Sequence, residues 1–213
     1  SVYFNQPADG VWSLRVLDES PGDTGALVEW CLDLTVLDSA PAPAPIPEPV
    51  ALPASASVSG MSGQDQMYML DCESRSAVDW ARHWGVKISE YEFFWGLPTS
   101  VNPEKGFVGN VSGTWGLVPP EDYGVHAAPI AVRLREYGLK AQARKYLSWD
   151  DLRAEIAAGR PVIVWIIDTL SPGAPRYYNP GVGPYTVTAP YEHTMILVGY
   201  TASSVTLLDG ATF

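Results

Sequence analysis

Apolar residues follow three different rhythms along this chain. From 11 to 37 they alternate with polar ones, through Val11-Trp12-Ser13-Leu14-Arg15-Val16-Leu17 and then Trp30, Leu32, Leu34 and Val36. A period of two predicts two half-buried strands, joined by turn chemistry between Asp18 and Gly25. Two strands alone cannot make a stable core. From 39 to 57 proline and alanine take over, which predicts an extended polyproline II spacer. From 58 onward the period becomes helical. Ala77, Trp80, Ala81 and Trp84 share one face of a helix expected over Glu73 to Trp84, with Asp71 or Cys72 at its N-terminus and Gly85 ending it. Ser89 to Trp95 reads as a short helix capped by Ser89.

The stretch from Leu97 to Gly124 is rich in Gly, Pro and Asn and reads as a long ordered loop. Ala127 to Tyr137 is expected as a helix with Ile130, Leu134 and Tyr137 inward and Gly138 as its C-terminal stop. Another helix starts at Ser148 or Asp150 and runs to Ala158, closed by Gly159. Pro161 to Ile167 reads as a buried strand, 170–190 as a loop or hairpin, and His193–Tyr200 and Val205–Asp209 as two final strands. Helices followed by antiparallel strands predict an α+β class. Three segments result: a β segment over 1–38, a spacer over 39–57, and an α+β domain over 58–213.

Composition narrows the function. The chain has 213 residues with 46% apolar content, enough for one good-sized domain or two small ones. No apolar run approaches the ~20 residues of a membrane span, so no membrane insertion is expected. The net charge of −11 argues against nucleic acid and anionic membrane as partners, since both require clustered Lys and Arg. Residues 1–38 hold seven acids and only Arg15 as a base, whereas the region from 58 onward holds sixteen acids and twelve bases. Cys31 and Cys72 fall on opposite sides of the spacer. A disulfide between them would tie two modules together and consume a thiol, and Cys31 reads instead as a small buried hydrophobe. Neither cysteines nor histidines have metal-ligand spacing, and no cofactor is implied. The chain opens on Ser1 and closes on Phe213, which reads as part of a longer polypeptide.

Cys72 carries the candidate chemistry. It stands where an extended segment gives way to a helix, whose N-terminal N–H groups and dipole favour a thiolate. His193 opens an apolar strand and could act as its base. Asp209 ends the next strand, where its carboxylate could orient the imidazole. Gln66, six positions before Cys72, could join the Cys72 backbone N–H in an oxyanion hole. Each has an ordinary alternative: a structural cysteine, a polar strand end, a turn-forming Asp before Gly210, a solvated glutamine. The rival histidines are His83 and His126. His83 lies eleven residues along the same helix, roughly 16 Å from Cys72 along its axis. His126 precedes a helix and is harder to set aside; His193 is preferred because Asp209 gives it an orienting partner, and His126 has none nearby in sequence.

Two resemblances follow from these residues. Gly10-Val11-Trp12-Ser13-Leu14-Arg15-Val16, Gly22-Asp23-Thr24-Gly25, Leu27 and Trp30-Cys31-Leu32 resemble the end of a proprotein-convertase P domain, a jelly-roll β-sandwich. Residues from about 60 to 213 resemble the C39-like peptidases, a papain-like group, through Gln66 and Cys72 leading into a helix, Gly159-Arg160-Pro161-Val162-Ile163-Val164, His193-Thr194-Met195-Ile196-Leu197-Val198-Gly199-Tyr200 and Leu207-Leu208-Asp209-Gly210. That resemblance implies a papain-like fold and a cysteine peptidase in which Cys72, His193 and Asp209 form the triad and Gln66 shapes the oxyanion hole. Glu73 departs from it, standing where many relatives have glycine. A carboxylate there suits the helix dipole but opposes a neighbouring thiolate, unless it points away or binds Arg75 or a substrate amine. Tyr177, Tyr178 and Tyr185 could wall a groove for an extended peptide. The expected partner is a peptide or protein substrate, with other modules of a longer chain, in a secreted or cell-surface setting. Two alternatives stay open: a weak or inactive module that binds peptides or cell-wall fragments, and an amidase or acyl transferase acting on a non-peptide amide.

Overall fold

The structure, a computed structural model, describes residues 51–167, 174–181 and 185–210. The strands expected between 11 and 37, Cys31, and the spacer up to residue 50 lie outside the described residues. What is described is a mixed α/β arrangement with antiparallel sheets. The order is β1 (Ala56–Ser57), α1 (Cys72–His83), α2 (Glu90–Trp95), α3 (Ala127–Glu136), α4 (Trp149–Ala157), β2 (Val162–Ile167), β3 (Arg176–Tyr178), β4 (Thr186–Thr188), β5 (Glu192–Tyr200) and β6 (Val205–Leu208).

β5 is the central strand. Val162 to Ile167 pair with Leu197 to Glu192, and Ala56 and Ser57 pair with Tyr200 and Gly199. β6 pairs along the opposite edge, from Ile196↔Leu208 to Tyr200↔Val205, with an irregularity between Leu197 and Gly199. This position explains why Ile196, Leu197, Val198 and Tyr200 are all buried, giving a continuous apolar run in place of alternation. β2 was expected to be buried and is half-buried along its length, because it lies at an edge of the sheet. β1 falls inside the expected spacer. Residues 54–57 contain no proline, so their N–H groups can join a sheet edge.

The two faces of the sheet are covered differently. Ile163 and Trp165 pack against the core of α1, α2 and α3, including Ala77, Ala81, Phe93 and Ile130. Val162 and Val164 pack with Leu197 and Tyr200 against Ile156 of α4. Alternate residues of one strand thus serve two cores. α1 starts and stops one residue earlier than expected, so Trp84 becomes its C-terminal cap and is 42% exposed. Tyr137 likewise caps α3, half-buried, while Ile130 and Leu134 are buried. α4 has a reciprocal capping box, in which Asp151 N–H donates to Ser148 Oγ at 3.1 Å and Ser148 N–H to the Asp151 carboxylate at 2.8 Å.

The long loop before α3 is ordered by its own polar groups. Asn102 is fully buried and accepts from Glu104 N–H at 3.0 Å. The indole of Trp165 donates to Val125 O at 3.0 Å, fixing the end of the loop on β2. The region expected as a loop or hairpin contains β3 and β4, paired from Arg176↔Thr188 to Tyr178↔Thr186. Tyr178 OH donates to Val101 O at 3.1 Å, while Tyr177 and Tyr185 stay exposed. Among the described residues no helix is long and apolar enough to cross a membrane.

Candidate active site

Cys72 is the first residue of α1 and is buried, with 8% exposure. Its Sγ donates to Glu73 Oε2 at 3.4 Å. Burial pushes the thiol well above its ordinary range, and the Glu73 and Glu192 carboxylates push it further. Hydrogen bonds from the Thr194 side chain and backbone act in the opposite direction. The thiolate-favouring effect of a helix N-terminus is therefore present in the sequence but outweighed in the resting structure. Cys72 holds its proton.

Glu73 supplies much of that effect. It is 1% exposed, so it does not point away. It does not bind Arg75 either: Arg75 bonds Asp79 at 2.6 Å and Glu90 at 2.7 Å. Glu73 turns inward, and its Oε1 accepts the Val125 N–H at 2.6 Å. Gly124 makes the space for it. With φ +135° it adopts a backbone that side chains disfavour, and a Cβ there would overlap Glu73 Oε1. Burial raises the Glu73 carboxyl to about 7 against the pull of the Val125 bond. Glu192, on β5, is raised by burial and by the Glu73 charge, and its Oε1 is buried without a hydrogen-bond partner.

His193 sits on β5 directly before Thr194, with 2% exposure. Its Nε2 lies 2.7 Å from Asp209 Oδ1. The chain after β6 folds back onto the start of α1, which brings Asp209 to this position. Gln66 N–H donates to Gly210 O at 2.8 Å, and a Cβ on Gly210 would meet Arg75 Cγ at 2.5 Å. Along β5 successive side chains alternate, so Glu192 and Thr194 share one face. Thr194 is near enough to the sulfur for its hydroxyl and backbone to pull the thiol down, which places Cys72 beside the strand that carries His193. Ser76 of α1 secures the same place, with its Oγ 3.3 Å from Thr194 O and from Thr194 Oγ1.

Gln66 is near this cluster in the chain, but its amide is engaged elsewhere. Nε2 donates to Tyr68 O at 2.7 Å and to Met69 O at 2.8 Å, bracing the turn that leads into α1. Asp71, directly before Cys72, is fully buried. Burial pushes its carboxyl up to about 8, Ser74 pulls the other way, and the Glu90 and Glu73 carboxylates add to the rise.

The rival histidines resolve differently. His83 ends α1, with its ring against Trp84. His126 does have a carboxylate, which its sequence neighbours do not reveal. Its Nδ1 lies 2.7 Å from Glu104 Oε1 and its Nε2 3.3 Å from Tyr123 OH. Glu104 also accepts from Lys145 at 2.6 Å and Thr186 at 2.8 Å. Partial burial works to raise its carboxyl, but the His126 and Lys145 hydrogen bonds outweigh this and hold it down at about 2. Glu192 and Thr194 thus join Glu73 around Cys72 although only Glu73 drew attention in the sequence, whereas Glu104 belongs to the His126 contact. Strand alternation could have placed Glu192 with Thr194; no local signal links Glu104 to His126. Among the described residues no group of three or more His, Cys, Asp or Glu could hold a metal ion. Surface concavities of about 390 Å³, at Trp149 and Thr201–Val205, and about 330 Å³, between Gly96 and Glu136, share no residue with the Cys72 cluster.

Comparison with known proteins adds two findings. A family profile described as "Peptidase_C39 like family" matches residues 58–212. A crystal structure from Bacillus anthracis, provisionally described as a C39-like peptidase, superposes with a TM-score of 0.59 at 20% identity, covering 75% of this chain and 84% of that one. At that identity the likeness concerns the fold. No curated protein matches the chain.

Proposed function

The chain belongs to the Peptidase_C39 like family, and on that premise we propose that it is a cysteine peptidase with Cys72 as its nucleophile. The Cys72 sulfur attacks the peptide carbonyl carbon while its proton passes to His193, through the ring nitrogen opposite Asp209. Asp209 holds the ring in orientation. Charge building on the carbonyl oxygen meets the Cys72 backbone N–H. Gln66 joins it once its amide leaves the Tyr68 and Met69 carbonyls. The amine departs with the proton from His193. Water, deprotonated by His193, then attacks the thioester and releases the acid and the Cys72 thiol.

The observation that carries this reading is the 2.7 Å contact of His193 with Asp209 on a strand whose next residue, Thr194, is tied at 3.3 Å by Ser76 to α1, the helix that Cys72 opens. The test is hydrolysis of fluorogenic peptides by the full chain and by Cys72→Ala and His193→Ala. The proposal requires both substitutions to remove turnover; activity that survives Cys72→Ala would refute it.

A second reading has an observation in its favour. The Glu73 carboxylate, 3.4 Å from the sulfur, opposes thiolate formation, so the same fold could bind peptides without cleaving them. Under that reading the Cys72 alkylation rate is indifferent to His193→Ala. A secreted or surface setting, and neighbouring modules of a longer polypeptide, rest on residues 1–50 and remain part of the proposal.

A further inference from the structure

We propose that Glu73 is a positioning residue that controls which partner holds the Cys72 proton, with Glu192 as the second half of a buried carboxyl pair. This rests on the reading of Cys72 as the nucleophile.

The carboxylate is placed there by construction. Its Oε1 is fixed by the Val125 N–H at 2.6 Å and its Oε2 faces the sulfur at 3.4 Å. The room for it exists only because residue 124 is glycine at φ +135°. A side chain at 124 would clash with Glu73 and strain the backbone. Glu192 approaches from β5, with one carboxyl oxygen buried and unpartnered. Two like charges in one dry space cannot both ionise readily. Other ionisable groups also face the pair. Asp71 approaches from the cap of α1 with Glu90 behind it, and Tyr123 from the long loop with Glu104 behind it. Glu90 and Glu104 are themselves paired with cations, Arg75 at 2.7 Å and Lys145 at 2.6 Å, so the repulsion on the pair comes chiefly from Glu73 and Glu192 acting on each other.

The proton count follows. With Glu73 ionised, the Cys72 thiol donates to Glu73 and stays protonated. When Glu73 takes a proton from solvent, its O–H becomes a donor toward sulfur. The thiol proton then moves to His193. One proton has entered from water and one has moved from sulfur to nitrogen, leaving a thiolate, a neutral Glu73 and a charged His193. The Glu73 carboxyl is raised to about 7, so this exchange falls in the mildly acidic range. At higher pH the ionised Glu73 holds the nucleophile back.

The test compares Cys72 alkylation by iodoacetamide in the full chain and in Glu73→Gln from pH 5.5 to 8.5. The variant is expected to react about tenfold faster or more at pH 8, one unit of thiol pKa, and at a rate within about twofold of the unmodified chain at pH 5.5. Glu192→Gln should shift the profile in the same direction by a smaller factor, and serves where Glu73→Gln does not fold. A rate ratio that stays constant with pH in both variants overturns the proposal. His193→Ala is run alongside. If it leaves alkylation unchanged while Glu73→Gln still accelerates it, the peptidase reading and the proton transfer to His193 both fail, and what stands is that ionised Glu73 suppresses the Cys72 thiolate. If His193→Ala slows alkylation and Glu73→Gln changes nothing, the reverse holds.

Discussion

Two histidines in this fold pair with a carboxylate at the same distance, 2.7 Å, and they are built for different work. His193 lies on β5 and Asp209 directly follows β6, its neighbour in the sheet, and Ser76 ties the residue after His193 to the helix that Cys72 opens. His126 and Glu104 come from two ends of a loop, and both ring nitrogens of His126 are tied inside it, one to Glu104 and one to Tyr123. Glu104 also ties down Lys145 and Thr186 of β4. A short histidine–carboxylate contact therefore does not by itself mark a catalytic base. What separates the two in the proposal is the company: the thiol that opens α1 is proposed as the partner of His193, whereas His126 is held by Tyr123 and by a Glu104 that also accepts from Lys145 and Thr186.

The largest expected difference between them is in turnover. His193→Ala should lower peptide hydrolysis by a factor on the order of 10² to 10⁴, whereas His126→Ala, measured on folded protein, should stay within about tenfold. Comparable losses in both would erase the distinction. Asp209→Asn sharpens it. Removing the orienting charge should cost on the order of 10² or more in kcat with little change in KM, read from full kinetic curves rather than a single rate.

Smaller effects belong to stability, and there the second pair should dominate. Glu104 is held down at about 2 in the fold, below its unfolded value. Its contribution is present above pH about 4.5 and is lost as pH falls toward 2. Glu104→Gln should therefore cost about 1 to 3 kcal/mol at pH 7 and roughly a quarter of that at pH 2.5, as read from urea unfolding. Asp71 runs the other way. With its carboxyl raised to about 8, its contribution is full below pH about 4 and declines as pH rises toward 8. Asp71→Asn should leave stability at pH 4 unchanged and add on the order of 2 kcal/mol or more at pH 8. An equal effect at both values would mean that Asp71 is ionised throughout.

The comparison also shows what could be read from the chain. The start of α1 at Cys72, the strand opened by His193 and the strand closed before Asp209 follow from local periodicity and turn residues, and so did the expectation that His193 and Asp209 could meet. The reason for setting His126 aside did not hold. It rested on the lack of an orienting partner nearby in sequence, and Glu104, 22 residues upstream, reaches it through a loop whose path no local pattern specifies. Glu73 was visible as an oddity beside the thiol, but its inward turn depends on Gly124 and Val125, about fifty positions away. β1 was hidden because two residues without a strand pattern join a sheet already formed by β5. Gln66 lies where the resemblance puts it, yet its amide braces the turn before α1, a choice set by backbone carbonyls that sequence spacing does not orient.

The most direct test of the central claim is covalent trapping. The full chain, His193→Ala and His126→Ala are incubated at pH 6 with a peptide carrying an electrophilic carbonyl analogue, and the modified residue is located by mass spectrometry. The account predicts rapid labelling at Cys72 in the full chain and in His126→Ala, and labelling slowed by at least about a hundredfold in His193→Ala. Labelling that is equally fast in all three, or that falls on another residue, would contradict it.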